Sequence, residues 1–178
     1  MPRKRKPMSI KKAVRLTGVL GASPEDFART EAELRLQFGK EPFPSDVYWS
    51  LANATILKLA RQRDWRNISM VYRQMARLLH EEDRPYQHLL KEAMTADVRQ
   101  IEARSKESIA MGYQKSERPL HISTHACCEE CAGLKDRQFT IAEALNEEPL
   151  PNRACTRGWC NCSWSDYVPR SSPDVDDR

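Results

Sequence analysis

The stretch that decides the fold runs from His125 to Trp164 and reads HACCEECAGLKDRQFTIAEALNEEPLPNRACTRGWCNCSW. It contains every cysteine of the 178-residue chain: Cys127, Cys128, Cys131, Cys155, Cys160 and Cys162. Three chemistries use cysteines at this density, namely disulfides, a reactive thiol centre and a metal site. The spacing is Cys128-x2-Cys131, an interval of 23 residues, then Cys155-x4-Cys160-x-Cys162. A CxxC turn sets two sulfurs on one side of the backbone, and two separated clusters supply the four donors that tetrahedral Zn2+ takes at about 2.3 Å. A structural zinc site is therefore expected. Cys128, Cys131, Cys155 and Cys160 are the preferred ligands, and Cys162 is a rival for the place of Cys155 or Cys160. Cys127 ranks lowest because it adjoins Cys128, and His125 is a weaker candidate.

The residues between the clusters fit a small α+β module. Gly133 stands where the knuckle is expected to turn, and residues 134–139 suit a short strand. Thr140-Ile141-Ala142-Glu143 is a capping box for a helix of one or two turns. Pro149-Leu150-Pro151 returns the chain, and Arg157-Gly158 turns it before Cys160. A segment of this size and polarity has too few apolar side chains to fold by burial alone, and a bound metal supplies the missing free energy.

Upstream lie four amphipathic helical stretches. Ser23-Pro24-Glu25-Asp26 carries a cap, a proline at the first helical position and acids in the first turn, and Gly39 suits the stop. Ser45 is expected to cap a second helix bearing Val47, Tyr48, Leu51, Ala52, Leu59 and Ala60 at three- and four-residue steps. Asp64 opens a third, with Trp65, Ile68, Val71, Tyr72, Met75, Ala76 and Leu79 in its stripe. A fourth follows Asp83, with Pro85 in its first turn. It continues towards Glu117, loosened at Gly112 and ended by Pro119. These stripes need partners to cover them, and the short links favour antiparallel hairpins. The fold class expected is mainly α, antiparallel helical hairpins followed by a zinc-stabilised α+β module. The division is a basic flexible leader (1–22), a helical-hairpin domain (23–117), the cysteine-rich module (118–168) and a disordered tail (169–178).

Charge is unevenly placed. The formal net charge is +4, yet residues 1–16 hold seven basic residues and no acid, leaving 22 basic against 25 acidic residues elsewhere. Any affinity for nucleic acid is thus expected through residues 1–16, because the module itself has an acidic balance. No apolar run is long enough to span a bilayer, so no membrane is expected, and the start MPRKRKPMSIKK lacks the apolar stretch of a secretory signal. A cytoplasmic location with reduced thiols is expected, which argues against disulfides.

The pattern CEECAGLKDRQFTIAEAL, followed by LPNRACTRGWCNC, resembles the C-terminal cysteine module of the phage head morphogenesis (minor head protein) family. It is also similar to uncharacterised bacterial proteins that join helical hairpins to the same ending. The resemblance covers about 45 residues. It sets Cys128 and Cys131 on the family's CxxC, Leu134 and Phe139 on its hairpin, and Cys160 with Cys162 on its CxC. Cys155 stands roughly where the family has a histidine. Asp136 and Arg137 replace a hairpin glycine, and Asn161 replaces the arginine of the closing CRC. The resemblance implies a metal module and a link to phage or prophage structures.

The chain carries no phosphate-binding glycine loop, HExxH or deaminase motif, and no third group is evident to orient His121 or His125 towards a cysteine nucleophile. A non-enzymatic, zinc-binding protein with a protein-interaction or assembly role is expected. The alternative is a nucleic-acid-binding, zinc-ribbon-like protein using its basic leader.

Overall fold

The structure is a computed structural model that describes residues 8–124, 128–135, 137–156 and 158–166. It is mainly helical, with a small three-stranded sheet. The chain forms two compact units, residues 1–89 and 90–178. Among the described residues no helix is long and apolar enough to cross a membrane.

The first unit begins with α1 (Ile10–Val19), inside the span that the sequence predicts to be a flexible leader. Ser9 caps it, its hydroxyl accepting the Lys12 N–H at 3.2 Å. Ala13 and Thr17 are buried. The Leu16 carbonyl accepts a 3.0 Å hydrogen bond from the Gln74 side chain, and Lys12 pairs with Glu81 at 3.2 Å. The seven cations conceal a helical spacing of Ala13, Val14 and Thr17, which turns one face inward while Ile10 stays exposed. Residues 1–7 lie outside the described residues.

The second helix, α2 (Pro24–Phe38), starts and stops as the sequence predicts. Ser23 and Asp26 form a reciprocal capping box with hydrogen bonds of 3.2 and 2.9 Å, and Gly39 closes the helix at φ 65°. The third, α3 (Pro44–Gln62), starts just before the predicted Ser45 cap. Pro44 supplies a helical φ, and the Asp46 carboxylate accepts the Phe43 N–H at 3.1 Å. Asp64 caps α4 (Trp65–Glu81) through the Asn67 N–H at 3.2 Å. Helices α1 and α2 both pack on α3, which packs on α4. Ala13, Phe27 and Val47 form one buried cluster, covered by Met8, Val14, Leu34 and Leu51. The inner stripe of α4 is Ile68, Val71, Met75, Ala76, Leu78 and Leu79, all buried.

Helix α5 (Gln87–Ala110) begins two residues after Pro85, because α4 ends in a turn with Asp83 at φ 52° and the Arg84 N–H bonded to the Leu79 carbonyl at 2.9 Å. Gly112 terminates α5 rather than loosening it. At φ 75° it lets the Tyr113 N–H reach the Ser108 carbonyl at 2.9 Å, the long bond of a left-handed helix stop. Residues 90–110 of α5 belong to the same compact unit as the cysteines. Two ion pairs tie them together, Lys91–Glu148 at 2.5 Å and Arg104–Asp166 at 3.5 Å. Neither pair could be read from sequence periodicity.

The sheet of this unit has the order β2-β1-β3, all antiparallel: β1 (Leu120–Ser123) lies between β2 (Gln138–Phe139) and β3 (Ser163–Ser165). Leu120 is opposite Phe139 and Ile122 is opposite Trp164, and these four fill the buried face. Phe139 and Trp164 meet edge to face at 5.5 Å. Strands of four, two and three residues carry too short an alternation to be predicted, and only the end of the 134–139 strand forms.

Candidate metal centre

Cys128 is the N-cap of α6 (Glu129–Ala132), and its carbonyl accepts the N–H groups of Cys131 at 3.1 Å and Ala132 at 2.9 Å. This tight turn carries the two sulfurs to one side. Gly133 closes it with φ −61°, an ordinary right-handed conformation, so the knuckle does not require glycine there. The left-handed glycine of the module is Gly158, at φ 72°, which turns the chain between Cys155 and Cys160.

The predicted capping box is present. The Thr140 hydroxyl accepts the Glu143 N–H at 3.1 Å, and the Glu143 carboxylate accepts the Thr140 N–H at 2.7 Å. It opens α7 (Ile141–Glu147), which buries Ile141 and Ala144. Leu150 then anchors the return segment, 2% exposed, before a cis Leu150–Pro151 bond.

Asn152 delivers Cys155 to the knuckle. Its side-chain amide donates to the Glu130 carbonyl at 3.1 Å and to the Cys131 sulfur at 3.6 Å. Its side-chain oxygen accepts the Ala154 N–H at 3.0 Å, and its backbone carbonyl accepts the Cys155 N–H at 3.1 Å. The Sγ atoms of Cys128 and Cys155 stand 3.9 Å apart. Cys160 and Cys162 arrive from the other direction on the approach to β3, and both are buried.

The five described cysteines are free thiols. They form two groups in which all sulfurs lie within 4.8 Å of one another: Cys128, Cys131 and Cys155, and Cys131, Cys160 and Cys162. Cys131, 1% exposed, is common to both. Four sulfurs around a tetrahedral ion with bonds of about 2.3 Å are about 3.8 Å apart, so the Cys128–Cys155 separation already suits one edge of such a site. Thiols are also the soft donors that zinc accepts.

Protonation follows position. Burial pushes the Cys131 thiol well above its ordinary range, and its sulfur neighbours Cys128, Cys162 and Cys160 push the same way. Cys128 is lowered, because backbone N–H groups of Thr156 and Cys131 point at its sulfur. A divalent cation would reverse the penalty at Cys131 by compensating the crowded negative charge.

All five predicted ligands are thus brought together, but the preferred set of Cys128, Cys131, Cys155 and Cys160 is not one tight group. Cys160 clusters with Cys131 and Cys162, apart from Cys128 and Cys155. His125 and Cys127 lie outside the described residues. His121 sits on β1 opposite Gln138 and Ser165, and its Nε2 is buried without a hydrogen-bond partner among the described residues. Sequence reasoning missed Asn152. The signal was its place directly after the Pro-Leu-Pro link, where a short amide can bond the backbone two residues on.

Compared with known proteins, the chain matches no protein-family model, no curated protein and no solved structure.

Proposed function

We propose that this chain is a non-enzymatic, cytoplasmic zinc-binding protein that serves as a protein-interaction or assembly module. The observation that carries the reading is the convergence of five thiols from two chain segments on Cys131. Zn2+ held by Cys131 with three of Cys128, Cys155, Cys160 and Cys162 has a structural task. It clamps the knuckle to the segment that leads into β3, closing a loop whose own apolar core is small. The resemblance of the cysteine segment to phage head morphogenesis proteins supports an assembly task in phage or prophage structures.

For the partner-binding part, the support lies around the α2–α3 connection. Leu36, Phe38 and Phe43 lie within eight residues of one another and are 87%, 60% and 65% exposed. Exposed large apolar residues so closely spaced are suited to contact with another protein.

Elemental analysis of the purified full chain tests the metal reading. About one zinc per chain is expected, colourless, and its removal by a chelator should collapse the dispersed amide signals of residues 118–166 while those of α1–α4 persist. Metal-free protein with the same dispersion would overturn it. The interaction reading expects a stoichiometric partner recovered from native cells, lost when Leu36 and Phe43 are changed to Asp. Retention of that partner by the double variant would remove the proposed surface.

A further inference from the structure

The two units differ in charge. Residues 1–89 hold 17 basic against 10 acidic residues, whereas residues 90–178 hold 12 against 15. The positive excess is concentrated further. From position 58 to position 77 stand Lys58, Arg61, Arg63, Arg66, Arg73 and Arg77, with Asp64 the only acid. Asp64 is already occupied in capping α4.

Three of these arginines share one face of α4. Arg66, Arg73 and Arg77 recur at steps of seven and four, which places them within about 40° of one another around the helix and along about 16 Å of its length. That face is turned away from the buried stripe of Val71, Met75 and Leu78. Arg66 and Arg77 are exposed and Arg73 is half-buried. The contact of Arg77 with Glu81, 3.5 Å long on an exposed surface, holds it only weakly.

Helix α1 widens the surface. Lys12 meets Glu81 and Leu16 meets Gln74, so α1 runs antiparallel to α4 with its N-terminal end beside the Arg77 end. Lys11 and Arg15, one turn apart on α1, are exposed. In the sequence four further cations, Arg3, Lys4, Arg5 and Lys6, precede this helix.

We infer that the outer face of α4, flanked by α1, binds the phosphodiester backbone of duplex DNA without reading its sequence. Arginine predominates, and its planar fork pairs with phosphate oxygens through two hydrogen bonds. A straight row of guanidinium groups on a rigid helix matches a linear array of phosphates, each contact releasing condensed counterions. An anionic bilayer would be better served by a continuous apolar rim able to enter it, but the exposed large apolar side chains here are isolated, Met70 on α4 and Ile10 and Val19 at opposite ends of α1. The site goes beyond the metal-centred reading and is independent of it, since residues 1–89 contain no cysteine. It also shifts the nucleic-acid contact from a leader alone to a folded helix face.

The test is fluorescence anisotropy of the full chain with a labelled DNA duplex of about two helical turns, between about 50 and 200 mM salt. Log affinity should fall linearly with log salt, equally for two unrelated sequences. The R66Q/R77Q variant, which changes only the two exposed positions, should lower that slope by about 1.8, at about 0.9 per lost phosphate contact, and weaken binding at least about fivefold at the lowest salt. Chelation should leave duplex binding intact even if it unfolds the cysteine module. The inference is overturned by absence of binding at the lowest salt or by a slope that R66Q/R77Q does not change. Loss of all salt dependence on deleting residues 1–7, or capture by phosphatidylserine vesicles in preference to duplex, would overturn it too.

Discussion

Changing Cys131 to Ser tests geometry against simple counting of thiols. The variant retains four of the five described cysteines, as does Cys155→Ser or Cys162→Ser. What differs is the arrangement left behind. Without Cys131, Cys128 and Cys155 remain 3.9 Å apart on one side and Cys160 with Cys162 on the other, and no sulfur of one pair lies within 4.8 Å of the other pair. Without Cys155 the group of Cys131, Cys160 and Cys162 is intact, and Cys128 still lies beside Cys131; without Cys162 the mirror situation holds. A four-thiolate structural zinc site contributes an apparent 10–16 kcal/mol or so, so one irreplaceable ligand represents about 3–4 kcal/mol. Cys131→Ser should weaken zinc binding by about 100- to 1000-fold, whereas Cys155→Ser and Cys162→Ser should each stay within about tenfold of the parent. Competition against a chromophoric chelator at fixed pH measures all three, with circular dichroism of the helices as the folding control. Cys131→Ser binding zinc within tenfold of the parent would refute the claim that Cys131 is the centre of the site.

Three other positions make separate demands on the fold and the site. Asn152→Leu removes the N–H directed at the Cys131 sulfur and the tether to the Glu130 carbonyl, and should raise the zinc dissociation rate about 10- to 100-fold with stoichiometry unchanged; an unaltered rate would deny Asn152 a positioning role. The Thr140 N–H, then its hydroxyl, hold the Glu143 carboxyl below the ordinary value of 4.5. The folded form is therefore the better acid, and its stabilisation is complete above that value and lost as pH falls through the lower folded one. Glu143→Gln should flatten this acid limb, and a carboxyl shift titrating at or above the ordinary value would contradict it. Ala13→Asp places a charge at a position with no exposure on α1 and should lower the melting temperature of the first unit, at a cost of several kcal/mol. An unchanged melting temperature would mean that α1 adds nothing to that core.

How far the fold could be read from the sequence depended on how local its determinants are. Helices α2 and α4 and the capping box of α7 are set by side chains three residues apart, and their starts were visible at Ser23, at Asp64 and in Thr140 with Glu143. The convergence of the cysteines was equally visible, since CxxC and CxC spacings bring sulfurs together through short turns. Determinants that are not local were hidden. The α1 helix is held by α3 and by Gln74 and Glu81 of α4, contacts spanning 58 and 69 residues for the latter two. The three strands exist because they pair with one another, not because any has a strong β pattern. The identity of the central thiol was hidden for a related reason. Cys131 looked equivalent to Cys128 within the CxxC, and only the approach of Cys160 and Cys162 from the far end makes it the shared sulfur.

The segregation of residue types gives the two proposals a common physical logic. A zinc ion bound by four thiolates carries a formal charge of about −2, a poor neighbour for phosphate unless cations compensate it. In this chain every cysteine lies in residues 90–178, where acids outnumber bases, while the arginine row of α4 belongs to residues 1–89, where the balance is reversed. Neither chemistry then has to compromise the other. Were the arginines instead interleaved with the cysteines, as in a compact zinc ribbon that grips nucleic acid, metal removal and loss of duplex binding would be inseparable. Here they should separate cleanly, so chelation distinguishes the two architectures without any change to the protein.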